Sequence, residues 1–170
     1  MEQKYIYSFS QIEDKVKALH ETNTEAAAAV ALSWLGLSRD ELKTLRVSDY
    51  NSTMRMLHSA GRVVYVREDL IADMLKAICE EAPEYSMGFF ITDVNSAYEA
   101  AEKQELSPIS VLKMRYFYEK HSAKLSGEPE DRVFLKEILR SVGESEADME
   151  KQFAEYEKDC LLYTSDAADE

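Results

Sequence analysis

Three basic residues are spaced so that one face of a helix would present them together. Arg39, Lys43 and Arg46 stand at positions i, i+4 and i+7, a spacing that places side chains on the same side of an α-helix. Guanidinium and ammonium groups bind phosphate oxygens, so this face predicts contact with a nucleic-acid backbone. The alternative interpretation is a solvated charged face that binds no ligand.

The wider charge pattern contains two basic segments within an acidic chain. The whole chain has a formal net charge of −13. Residues 38–67 hold six bases against three acids, residues 109–126 hold four bases against one, and each segment therefore has a net charge of +3. Residues 68–108 have a net charge of −8. An acidic total disfavours nonspecific nucleic-acid binding, but a DNA footprint requires only one basic face.

The sequence contains no pattern typical of a metal site, a nucleotide-binding loop or a redox pair. His20, His58 and His121 lie far apart, and none has a ligand-type residue three or four positions away. The sequence also lacks a glycine-rich phosphate loop and a Cys-x-x-Cys pair. We therefore expect neither a metal ion nor a cofactor.

The composition is typical of a globular chain. Of its 170 residues, 45% are hydrophobic and 31% are charged, with only 5 Gly and 3 Pro, which favours a single folded domain. No apolar run reaches the ~18 residues of a membrane span, and the N-terminus has no signal-peptide pattern. Two cysteines cannot form a disulfide framework, so we expect a cytoplasmic protein without a membrane partner.

Residues 160–170 do not look like natural protein sequence. They resemble the in-frame translation of a transposase adapter that is used in sequencing libraries. We therefore expect a native domain over residues 1–159, followed by a segment that is not native. On this interpretation Cys79 is the only native cysteine.

Capping signals and hydrophobic spacing predict the elements that would position these residues. Helices are expected to begin near Ser10, Thr24, Ser38, Leu70, Asn95, Ser107, Pro129 and Ser145. The helix that begins near Leu70 is expected to end before Pro83. A β-hairpin is expected from Thr53 to Val66 with Gly61 in its turn, and 88–91 as a strand or extended segment. The predicted fold class is mainly α with a small antiparallel β-hairpin or sheet, an α+β arrangement.

Residues 36–49 resemble the first signature of the tyrosine recombinase (phage integrase) catalytic domain. The residues that match it in type and spacing are Gly36, Leu37, Glu41, Leu42, Leu45 and Asp49. The hairpin, residues 108–118 and residues 139–156 are similar, in the same order, to the small sheet, the His-x-x-Arg helix and the Leu-Gly-His helix pair of that family. The resemblance covers residues 5–158 and implies a tyrosine recombinase catalytic-domain-like fold.

In this family two Arg, a hairpin Lys, two His (or a His and a Trp) and a Tyr break and rejoin DNA. The resemblance places the first Arg on Ser38, the His-x-x-Arg pair on Leu112 and Arg115, the second His on Glu144 and the nucleophile on Phe153. The hairpin Lys has no counterpart. Because phosphoryl transfer requires cations on the phosphate and an in-line nucleophile, the resemblance implies an inactive pseudo-recombinase, with these five positions as vestiges of the site.

Two further expectations concern the geometry of these positions. The order of the motifs is expected to bring Ser38, Arg115 and Glu144 around one shallow concavity. Tyr156, three residues beyond the nucleophile position, would replace the nucleophile only if the last helical turn were shifted.

Three hypotheses for function follow. Similarity to recombinase-fold repressors of the phage lytic cycle implies a phage or mobile-element regulator that binds double-stranded DNA. Its DNA-contacting residues would be Arg39, Lys43, Arg46, Arg55, Arg62, Lys113 and Arg115. The alternative is a protein-interaction module or truncated accessory subunit that self-associates or binds an integrase through acidic residues 68–108 and 128–159. A decaying fragment without function is the third hypothesis.

Overall fold

The computed structural model describes residues 9–59, 61–81 and 88–168. The N-terminal residues, the middle of the hairpin turn and the helix end expected before Pro83 lie outside these ranges. The helices are α1 (Phe9–Thr22), α2 (Thr24–Trp34), α3 (Arg39–Thr44), α4 (Asp69–Glu81), α5 (Val94–Lys103), α6 (Pro108–Ser126), α7 (Arg132–Val142) and α8 (Glu146–Ala168). The strands are β1 (Tyr50–Asn51), β2 (Met56–Ser59) and β3 (Arg62–Tyr65), and a 3₁₀ turn, Val47–Asp49, precedes β1.

Helix α2 lies at the centre of the main hydrophobic core. Residues 26–34 are all buried, and the helix packs against α1, α4, α5 and α6. Its Ala-rich surface permits this because small side chains let neighbouring helices approach closely. The expected cap at Thr24 was wrong by one residue, since the Asn23 side chain accepts the hydrogen bond from the Ala26 N–H.

The sheet is antiparallel in the order β1–β2–β3. Leu57 is paired with Tyr50 on one side and with Val64 on the other, and all three side chains are buried. Strand β1 was not expected, and β2 begins three residues later than predicted. The reason is a turn over residues 52–55, in which Asn51 Oδ1 accepts the Met54 N–H at 3.1 Å.

The segment after position 88 is extended, as expected, and lies beside the chain that leaves α3. Arg46 and Phe89 form an isolated antiparallel bridge. The Val47 N–H donates to Gly88 O at 2.9 Å, and the Phe90 N–H donates to Leu45 O at 3.3 Å. These bonds fix Leu45 and Arg46 in an extended conformation between α3 and the 3₁₀ turn.

A second core lies between α6, α7 and α8. Its buried residues are Leu112, Tyr116, Phe117, Leu135, Ile138, Met149, Phe153 and Tyr156. Helix α7 begins at Arg132 and not near Pro129, because Asp131 caps it by accepting the Phe134 N–H. Helix α8 continues past Asp159, the expected end of the native domain, to Ala168.

The predicted fold class is confirmed: the chain is mainly helical with a small antiparallel sheet. Within the described ranges, no helix combines the length and the apolar character that crossing a lipid bilayer requires.

Candidate functional site at the cleft between β3, α6 and α7

An open cleft of about 550 Å³ lies between β3, α6 and the start of α7. Arg115 lines it, together with Arg62, Glu68 and Phe134. Ser38 and Glu144 are not among the residues that line it. Of the five positions that the family resemblance assigns to catalysis, only Arg115 lies in this cleft.

The Arg115 guanidinium is held between two carboxylates. Its Nη2 lies 2.5 Å from Glu119 Oε1, one turn further along α6, and its Nη1 lies 3.5 Å from Glu68 Oε1. Glu68 Oε1 also accepts the Trp34 Nε1–H at 3.1 Å. Two negative charges therefore surround the one positive charge of Arg115.

Two aromatic rings enclose the same guanidinium. Its central carbon lies 5.1 Å from the ring centroid of Trp34 and 5.1 Å from that of Phe134. Only 12% of the Arg115 side chain is exposed. Cation–π contact and ion pairing together bind the group into the protein, which leaves little of it available to an incoming phosphate.

The positions of the family histidine and nucleophile are occupied by core residues. Leu112 is fully buried and Phe153 is 7% exposed. The Phe153 ring lies 6.3 Å from the Phe117 ring and stacks on Tyr156 at 6.0 Å. Tyr156 is itself fully buried in this aromatic group and does not line the cleft.

Ser38 caps helix α3, as its sequence context predicted. The Glu41 N–H donates to Ser38 Oγ at 3.2 Å, and the Ser38 N–H donates to Glu41 Oε1 at 3.0 Å, which completes a capping box. The hydroxyl at this position is therefore used to begin a helix.

The Glu41 carboxylate also binds Arg62 and joins α3 to the sheet. Arg62 Nη2 lies 2.9 Å from Glu41 Oε1 and donates to Gly36 O at 3.0 Å, while Ser59 Oγ donates to Glu41 Oε2 at 2.8 Å. Burial alone would raise the pKa of Glu41, but the hydrogen bonds from Arg62, Ser38 and Ser59 outweigh it and lower that pKa. Arg62, expected to contact DNA, is thus half-buried in a structural ion pair.

The three basic residues around α3 do not share one helical face. The helix ends at Thr44, and Leu45 leaves it with φ −69° and ψ 123°, so the expected position of Arg46 on the helix was wrong.

Arg39 is exposed and donates from Nε to Asn95 Oδ1 at 3.1 Å, with its guanidinium 4.8 Å from the Tyr98 ring. Lys43 is exposed, and Arg46 lies 4.9 Å from the Phe89 ring.

The remaining predicted DNA contacts are in ion pairs. Arg55 Nη1 lies 2.8 Å from Asp69 Oδ1 at the surface. Lys113 Nζ lies 2.9 Å from Glu144 Oε1. The hydrogen bonds from Lys113 and then Gln152 lower the pKa of Glu144. Glu144 therefore attaches α6 to the start of α8.

Further Lys–Glu pairs connect the basic side of α6 to α8. Lys120 is hydrogen-bonded to Glu150, and Lys124 Nζ lies 2.5 Å from Glu157 Oε2. With Lys113 and Arg115, all four bases of residues 109–126 have carboxylate partners. The second basic segment of the sequence is thus neutralised in the fold.

The cleft itself carries an excess of negative charge. Among the described residues that line it, the carboxylates are Glu68, Glu119, Glu128, Glu130, Asp131 and Glu137. The bases are Arg62, Arg67 and Arg115. Sequence reasoning missed the two carboxylates that bind Arg115, although the i, i+4 spacing of Glu119 was a local signal.

No group of three His, Cys, Asp or Glu side chains in the described part of the chain is arranged to hold a metal ion.

The fold is similar to that of a protein of known structure. No family model matches the chain, and no curated protein matches it in sequence. The chain is similar in structure to XerA recombinase, with a TM-score of 0.53 and 11% sequence identity. The match covers 92% of this chain and 65% of the XerA chain. The chain therefore has a recombinase-like fold.

Proposed function

We propose that this chain is a recombinase-fold domain that does not cleave DNA and acts by binding it, as a repressor-like regulator of a phage or mobile element. The observation that carries the proposal is the state of Arg115, which two carboxylates neutralise and two rings enclose. Strand cleavage requires cations on the scissile phosphate and an accessible nucleophile. The buried Leu112 and Phe153 supply neither.

The surface proposed for DNA binding is formed by α3 and by residues 45–46, which follow it. Arg39 and Lys43 are exposed, and neutral groups, Asn95 and the Tyr98 ring, support the Arg39 guanidinium. Arg46 lies beside them in sequence on the extended segment. Three phosphate contacts and an acidic remainder favour a weak, salt-dependent interaction, with a dissociation constant of ~10⁻⁴–10⁻⁶ M.

The experiment is fluorescence anisotropy with labelled duplex DNA and the full chain at low and moderate salt. The Arg39→Ala/Lys43→Ala variant is compared with Lys103→Ala/Lys151→Ala, which removes the same charge from exposed positions outside the two basic segments. We expect the first variant to flatten the log–log salt slope by about 1.8, since each lost phosphate contact contributes about 0.9. The second variant should leave the slope unchanged. No wild-type binding at about 20 mM salt, where screening is weak, would contradict the proposal.

A second candidate function is a protein-interaction module or accessory subunit of a recombinase. The specific observation that favours it is the neutralisation of the α6 bases by α8 and by cleft carboxylates. Because these cations are already paired with carboxylates inside the fold, they attract DNA phosphates less strongly. The acidic cleft remains available for a different partner.

A further inference from the structure

We propose that the cleft between β3, α6 and α7 binds a segment of a partner protein in which Lys or Arg residues alternate with apolar residues. This inference rests on the second candidate function above and adds the surface and the chemistry of the partner. It is independent of DNA binding by α3.

The first observation is a group of exposed apolar side chains on the cleft walls. Val63 and Tyr65 of β3 are 41% and 60% exposed, and Val133 of α7 is 73% exposed. They face the cleft from two different elements. Large apolar side chains that are grouped around a concave surface mark a site for burial against another molecule.

The second observation is the placement of charge around those side chains. The acidic rim of the cleft consists of Glu128, Glu130 and Asp131, which are exposed at the α6–α7 junction, and of the partly exposed Glu137 further along α7. Glu68 and Glu119 are engaged with Arg115, so the rim carboxylates give the cleft its outward charge. Arg67 is the exposed base among the lining residues that the structure describes.

Charge complementarity selects the occupant. A negative rim repels DNA phosphates and anionic ligands, while it attracts Lys and Arg side chains. Apolar walls between the carboxylates favour a ligand that also carries apolar side chains, and a purely polar cation would leave those walls exposed to water. A cationic amphipathic polypeptide segment satisfies both requirements.

The test measures binding of a labelled peptide of alternating Lys and Leu to the full chain by fluorescence anisotropy. Peptides of alternating Glu and Leu, and of Lys alone, serve as probe controls. The Glu128→Gln/Glu130→Gln/Glu137→Gln variant removes rim charge. The Glu80→Gln/Glu99→Gln/Glu102→Gln variant removes the same charge from exposed helical positions outside the cleft.

We expect the Lys–Leu peptide to bind more tightly than the Lys peptide, and the Glu–Leu peptide not to bind. The rim variant should weaken binding about tenfold, since three exposed ion pairs are lost, and the matched variant should leave the affinity within about twofold. Val133→Ser should weaken binding about threefold without a change in charge, because an apolar contact is lost. Thermal unfolding confirms that each variant is folded.

Several results would overturn the proposal. Equal weakening by the two charge variants would mean general attraction to an acidic protein. An unchanged affinity in Val133→Ser would mean that the apolar side chains of the cleft do not contribute to peptide binding. Absence of Lys–Leu binding would exclude the cleft as a binding site. Arg39→Ala/Lys43→Ala should bind the peptide like the wild type, so failure of this proposal is distinguishable from failure of DNA binding.

Discussion

Arg115 Nη2 lies 2.5 Å from Glu119 Oε1, one turn away on the same helix. This i, i+4 pair means that α6 supplies both the cation and its neutralising anion. Glu68 adds a second carboxylate, 47 positions earlier in the sequence. The arginine at this position therefore stabilises contacts between elements of the fold, and its charge is balanced before any ligand arrives.

Removal of the two carboxylates should restore an available cation. In Glu68→Gln/Glu119→Gln, the Arg115 charge is no longer balanced, so we expect tighter DNA binding and a salt slope steeper by about 0.9, the contribution of one phosphate contact. Anisotropy with duplex DNA measures both quantities. Glu99→Gln/Glu102→Gln makes the same change in net charge at exposed positions on α5, and an equal gain in that variant would refute the role assigned to Glu68 and Glu119.

The Glu41–Arg62 pair should be a major contributor to stability. Glu41 is 7% exposed and binds groups from its own helix cap and from the sheet. We expect Glu41→Gln to lower the free energy of unfolding by about 2–4 kcal/mol, because Arg62 loses its charged partner while some hydrogen bonds remain. Urea unfolding measures the change. Asp40→Asn, at the exposed neighbouring position, should cost under about 0.5 kcal/mol, and an equal effect of both substitutions would contradict the prediction.

The same pair predicts a specific dependence of stability on pH. The folded-state pKa of Glu41 is lowered, so the unfolded chain takes up the proton first as the pH falls. The stability from ionised Glu41 is therefore fully present above its unfolded pKa of about 4.3 and is lost as the pH falls through the lower folded-state pKa. The difference in free energy of unfolding between wild type and Glu41→Gln should be constant at neutral pH and should shrink below about pH 4. A difference that is constant at all pH values would exclude this linkage.

A side chain at Gly36 should destabilise the fold for two separable reasons. Its φ is +95°, and a Cβ there would lie 2.8 Å from Cε2 of Phe134. Gly127 has a similar φ of +75° with no atom within 4 Å of such a Cβ. A substitution there therefore measures the cost of the backbone conformation alone. We expect Gly127→Ala to cost about 1 kcal/mol and Gly36→Ala about 1–3 kcal/mol more, since Phe134 must move. Equal losses in chemical denaturation would show that Phe134 yields without cost.

Local signals in the sequence predicted the parts of the fold that depend on neighbours in the chain. The Ser38–Glu41 capping box and the start of α6 at Pro108 were both predicted correctly. Strand β1 was missed because a two-residue strand has no periodicity of its own. Its position depends on pairing with β2 across a turn that Asn51 stabilises.

The candidate site was less accessible to sequence reasoning, because its partners are distant in the chain. Spacing alone could place Arg39, Lys43 and Arg46 on one helix, but the bridge between Arg46 and Phe89 ends that helix early. The neutralisation of Arg115 by Glu68 depends on the packing of α6 against the chain that follows β3. No local pattern encodes such a contact.

The absence of cleavage activity is the central claim, and a search for a covalent protein–DNA adduct tests it most directly. The full chain and the Phe153→Tyr variant are incubated with nicked and intact duplex DNA, with and without divalent metal, and are resolved on a denaturing gel. We expect no adduct from either protein, because a tyrosine at position 153 would restore a hydroxyl but not the cations that stabilise the transition state. A denaturant-resistant adduct formed by the wild-type chain and lost in Tyr156→Phe would contradict the account.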